Sequence, residues 1–96
     1  MSNGNYEEAR ALLEKAELVA ERELVEDHMW KVRVKTELAI LFHKERKEDQ
    51  MIEAMKNGLE MCYRLGNTVE ELGNKREIRK VLNGHPEKFQ IGRAHV

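Results

Sequence analysis

The residues that could do chemistry are few and scattered. Cys62 is the only cysteine. One thiol makes no internal disulfide and no metal site. It recurs at helical steps with Met55 and Leu59, so a buried structural cysteine is expected rather than a nucleophile. His28 and His43 stand 15 positions apart, with His85 further on. None of these forms an i, i+4 pair, so no metal site is expected. His28 suits a turn where its ring can bond neighbouring backbone, and His43 the open end or face of its helix. A glycine-rich phosphate loop, G-x-S-x-G and H-E-x-x-H are all absent. The chain therefore reads as non-enzymatic, with no catalytic residue, no cofactor and no small-molecule substrate.

Two side-chain groups could instead contact macromolecules. Lys75, Arg76, Arg79 and Lys80 make a basic cluster, which suits an acidic partner or nucleic acid. No aromatic platform is interleaved, and Glu70, Glu71 and Glu77 dilute the field, so a solvated helix face is the better reading. Glu71 and Lys75 have the spacing of a helix pair. Met51, Met55 and Met61 could form an adaptable binding surface, but their places on a helical stripe favour core filling.

These residues must be positioned by helices. Apolar residues make up 41% of the 96 and charged residues 36%, enough for one thin core under charged faces. Tyr6, Ala9, Leu12, Leu13, Ala16, Val19 and Ala20 predict a first helix from about Tyr6 to about Val25. After a polar break, Asp27 is a candidate cap for a second helix. That helix carries Trp30, Val34, Leu38, Leu41 and Phe42 and ends near Lys44. A third runs through Met51, Ile52, Met55, Leu59 and Cys62 to Gly66, with Glu60 and Arg64 paired on its outer side. A fourth begins at Thr68, with Glu71 completing a capping box, and is expected to continue through Gly73-Asn74 to Gly84. The alternative is a break there, with Asn74 as the new cap. Nothing alternates with period two long enough for a strand. Short connections make neighbouring helices antiparallel. Net charge is −1, so no global field draws the chain to nucleic acid or an anionic membrane. The longest apolar runs, such as Leu38 to Phe42, are too short to span a bilayer. The N-terminus has no signal-peptide pattern, and one cysteine fits a reducing, cytoplasmic setting.

The most informative pattern is internal repetition. Gly4-Asn5-Tyr6-Glu7-Glu8-Ala9, followed by Leu13 and Ala16, returns 42 residues on as Met51, Met55 and Gly58 in the places of Ala9, Leu13 and Ala16. Leu38, Ala39 and Phe42 precede the second copy as leucine, small residue and aromatic. These residues resemble the tetratricopeptide repeat, in its long subclass found in kinesin light chains and nephrocystin-like proteins. Leu24-Val25-Glu26-Asp27-His28 is similar to that subclass's inter-repeat segment. Val25 and Met29 replace its glycine and proline, Arg46 and Glu48 replace the turn glycine and aromatic of the second repeat, and Gly58 replaces the usual alanine.

The resemblance implies an all-α fold of antiparallel hairpins, a solenoid fragment with a terminal capping helix. Residues 1–26 are expected to hold the second helix of a truncated repeat, 27–66 a hairpin, and 67–90 the capping helix and tail. It implies a protein-binding scaffold of a larger signalling or trafficking protein, with a protein or peptide as partner and weak self-association. The groove positions map to Arg33, Thr36, Glu37, Ile40 and His43, while Leu38, Ala39 and Phe42 hold the helix pair together. The asparagines that many such repeats carry at the places of Thr36 and Glu37 are missing, as is the clamp for C-terminal carboxylates. Two other functions compete: a nucleic-acid-associated regulator using residues 75–80, and a helical appendage of an enzyme. Residues 91–96, Ile-Gly-Arg-Ala-His-Val, are the translation of one frame of a common sequencing adapter, and are expected to be non-native.

Overall fold

The computed structural model describes residues 2–23 and 26–89, with side chains from Tyr6 onward in the first segment. Residues 24–25 of the expected inter-repeat segment and the hexapeptide 91–96 lie outside it. All regular structure among the described residues is helical. Helix α1 spans Ser2–Glu23, α2 Met29–Lys44, α3 Glu48–Arg64 and α4 Lys75–Gly84, with a 3-10 turn at Val69–Glu71. No described helix is long and apolar enough to cross a membrane.

Helix α3 is strongly one-sided. Met51, Met55, Leu59 and Cys62 step by four, four and three residues and are all buried, one stripe of a 3.6-residue helix. Opposite them α2 buries Val32, Leu38, Ala39 and Phe42, and one cluster joins both helices to Ile78, Val81 and Phe89. The α2–α3 pair is antiparallel: Thr36 lies beside Gly58 at mid-length, and Asp27 meets Arg64 at one end. The α1–α2 pair is antiparallel too, with Arg10 on Glu45 and Glu17 on Lys35.

Helices α2 and α3 stop in the same way. Arg46 (φ 63°) and Gly66 (φ 81°) both take left-handed backbone. The N–H of Lys47 then reaches the Phe42 carbonyl at 2.9 Å, and that of Asn67 the Cys62 carbonyl at 3.0 Å. This Schellman closure satisfies carbonyls the helix end would leave bare. Glycine adopts it freely, whereas Arg46 carries a Cβ penalty of about 1 kcal/mol.

Gly58 marks the tightest crossing. A Cβ there would lie 2.9 Å from the Thr36 methyl and 3.3 Å from the Lys35 Cβ. The β-branched Thr36 of α2 fills the space that a side chain at this position would need.

Four expectations are corrected. The first helix begins at Ser2, so Gly4 lies in helix instead of turning the chain. The cap of α2 is His28, whose Nδ1 accepts the Trp30 N–H at 3.0 Å. Asp27 binds Arg64 instead, at 2.8 Å. The stretch after Thr68 is not one helix: Leu72 is extended (φ −91°, ψ 145°), and α4 restarts after Gly73 with Asn74 at its N-cap position. At about 100° per residue, a continuous helix would point Val69 and Leu72 away from Ile78 and Val81. Breaking it lets all four be buried. Glu71 still accepts the Thr68 N–H, at 3.3 Å, but Lys75 now pairs with Glu70 rather than Glu71.

Candidate interaction groove

Helix α2 touches α1, α3 and α4, so little of its surface stays open. Apart from His43, what remains is one line of side chains: Trp30, Arg33, Glu37 and Lys44, spaced three, four and seven apart. That spacing keeps them on one face. Two depressions lie along it. The first, about 500 Å³, is bounded by His28, Met29, Trp30 and Arg33 and, across from them, by Asn67 and residues 71–74. The second, about 290 Å³, has Ile40, Leu41 and Glu37 as its floor, Ala9 and Leu13 of α1 on one side and Asn74 and Glu77 on the other.

Asn74 lines both depressions. Its Nδ2 is buried and has no hydrogen-bond partner. Its backbone conformation (φ −110°, ψ 37°) leaves the side chain out of the usual helix cap. A buried amide donor without an acceptor costs roughly 1–3 kcal/mol; being shielded from solvent, it meets an incoming oxygen only when the side chain turns outward. Trp30 is 46% exposed at the mouth of the first depression, a large apolar surface with a polar N–H. Arg33 and Glu37 lie 3.8 Å apart and hold each other on the rim.

The structure distributes the expected groove residues unevenly. Arg33 and Glu37 reach the open face, and Ile40 forms nearly closed floor. Thr36 does not reach it: it is 0% exposed, donates its hydroxyl to the Arg33 carbonyl at 3.1 Å and packs its methyl on Gly58. This is a correction, and its cause is the close approach of α3. His43 is exposed but sits off the groove, edge-on to the His85 ring with centroids 6.4 Å apart. His85 in turn is 3.5 Å from Glu48 and edge-on to Phe89. Trp30, Leu41 and Lys44 line the groove and were not assigned to it from sequence. The i, i+3 step from Trp30 to Arg33 was the available signal.

The residues expected to hold the repeat together are placed as follows. Leu38, Ala39, Phe42, Met55 and Gly58 are buried at the α2–α3 contact. Tyr6, Ala9, Leu13 and Ala16 are half-buried on the side of α1 that meets α2. The Gly4 backbone is helical, and nothing further describes its surroundings.

The remaining chemistry is quiet. Cys62 is fully buried, and desolvation, helped by Glu71, pushes its thiol above the usual range. Burial also raises the Tyr63 hydroxyl. Among the described residues no three His, Cys, Asp or Glu side chains converge as a metal site. Glu70 engages Arg79 and, at 4.0 Å, Lys75, while Glu77 lies 3.9 Å from Lys80, so most of the basic cluster is locally balanced.

Comparison with protein-family models, with curated proteins and with solved structures returned no match for this chain.

Proposed function

We propose that this chain is a non-catalytic protein-interaction module built from tetratricopeptide-like hairpins, and that the open face of α2 takes a segment of a partner protein. The observation that carries the reading is the orphaned Asn74 amide donor at the junction of two depressions. Once the Asn74 side chain turns outward, a peptide carbonyl is the commonest acceptor that could meet it, and the adjacent Trp30 offers area for an apolar side chain. The helical hairpin, the glycine at its crossing and the left-handed Arg46 in the turn support the repeat assignment. The balanced charges on α4 favour a protein over nucleic acid, because few cations are left to displace counterions. A cytoplasmic setting belongs to the same proposal, since a single buried thiol asks for no oxidising compartment.

The test is selection from a random-peptide library displayed on phage, followed by titration of synthesised hits using Trp30 fluorescence and calorimetry. Selected peptides are expected to lose more than about tenfold in affinity with Trp30→Ala or Asn74→Leu, as read by calorimetry. Failure to select any peptide, or selection of peptides indifferent to both changes, overturns the groove.

A further inference from the structure

Helix α1 has a second face that none of the described residues covers. Leu12, Leu18 and Val19 are 68%, 66% and 47% exposed, while Leu13, Ala16 and Ala20 on the other side pack towards α2. The open face has an ordered layout. Glu8, Lys15 and Arg22 form its midline at seven-residue steps, and all three are exposed. Leu12 and Val19 run along one flank of that line, and Ala11 and Leu18 along the other. Among the described residues Glu8, Lys15 and Arg22 have no ion-pair partner, although Arg10, Glu17 and Glu21 of the same helix do.

We propose that this face binds a second copy of the same chain, α1 against α1, antiparallel about a two-fold axis at Lys15. Charge complementarity and shape both select this pairing. Glu8 and Arg22 each lie seven residues from Lys15, on opposite sides. An antiparallel pair centred there sets each Glu8 against the Arg22 of the second copy, twice over. A two-fold axis perpendicular to the helices keeps each flank facing its own equivalent. Leu12 therefore meets the second Val19, and Ala11 meets the second Leu18, each large residue opposite a smaller one. A parallel pair would stack Glu8 on Glu8 and Arg22 on Arg22. The two Lys15 side chains meet on the axis, and their stems can lie over the leucines while the ammonium groups reach water. That central repulsion and the small apolar area make the dimer weak and reversible. This face is separate from the groove, which lies on α2.

Sedimentation equilibrium of the full chain up to about 1 mM reads the association directly. A monomer–dimer equilibrium is expected. Leu18→Asp, which changes an exposed position, should abolish it with unchanged circular dichroism. Glu8→Arg should weaken it about tenfold, and the double swap Glu8→Arg with Arg22→Glu should restore it to within about threefold. Under mild oxidation Lys15→Cys should cross-link to itself and Glu8→Cys should not, because only the former lies on the axis. Trp30→Ala should leave the dimer intact, so failure of the groove and failure of this face are separable. A chain that stays monomeric throughout overturns the proposal, and so does a dimer indifferent to Leu18→Asp. A double swap without rescue, or a Glu8→Cys cross-link, overturns the antiparallel register. Binding of this face only to a helix of another protein overturns self-pairing.

Discussion

The two faces of α2 are held by different physics. Towards α3 the contact is apolar and close: Met55, Leu59 and Cys62 are sealed against Val32, Ala39 and Phe42, and Gly58 lets Thr36 seat on the backbone. Towards α1 the apolar part is thin, with Leu13, Ala16 and Ala20, and ion pairs frame it. Arg10 reaches both carboxylate oxygens of Glu45 at 2.5 and 2.7 Å, and Lys35 reaches Glu17 at 2.8 Å. The first contact depends on shape and excluded water; the second depends on charges that salt can screen. The hairpin is thus the stable unit, and α1 is the part that can leave first.

The largest effect should come from the hairpin's centre. Met55→Ala removes a side chain that is 0% exposed and should cost about 3 kcal/mol in urea unfolding followed by circular dichroism. A loss under about 1 kcal/mol would mean that α3 is not the centre of the core. Next is the crossing itself. Gly58→Ala should cost a net 1 kcal/mol or so, since crowding against Thr36 outweighs the gain in helix propensity. Adding Thr36→Ser removes the obstructing methyl and keeps the hydroxyl, so the double variant should be more stable than Gly58→Ala alone.

On the α1 side, Arg10→Ala should lower α1 protection in hydrogen exchange by about 0.5–1 kcal/mol and leave α3 protection unchanged. Salt near 1 M should act in the same direction on wild type; equal loss in both helices would erase the contrast. The smallest effect concerns Asp27. Its bond to Arg64 holds the carboxyl below the usual carboxylate range. A depressed folded-state value contributes stability above the ordinary aspartate range, and this is lost as pH falls through the folded value. In an NMR titration Arg64→Ala should return Asp27 to that ordinary range, and an unchanged midpoint would remove the pair from the account.

Much of this was legible in the residue pattern. The stripes of α2 and α3 lead to their observed ends within a few residues, because buried positions at 3.6-residue spacing dominate the signal. The break after Leu72 was legible in principle. Val69 and Leu72 are half a turn out of phase with Ile78 and Val81, and the capping box at Thr68 masked it by marking a helix start that lasts only one turn. The open face of α2 was harder. That helix buries Val32, Val34, Leu38, Ile40 and Leu41, apolar residues on nearly every side, because three other helices surround it. A helix so enclosed has no single polar stripe from which to infer what is left uncovered, and the fate of Thr36 was decided by a glycine twenty-two residues away. The orphan donor on Asn74 depends on a backbone bend and has no signature in composition.

The seclusion of Cys62 makes it a clock. A thiol with no exposed area, and with its ionisation disfavoured by burial, meets a disulfide reagent only after the hairpin has parted. When reclosing is fast, the labelling rate is the thiol's intrinsic rate multiplied by the fraction of time spent open. Helix α1 packs chiefly on α2, so its departure should leave the α2–α3 contact around Cys62 in place and change that rate little. One atom of sulfur thereby separates the two kinds of opening that a bulk helical signal adds together.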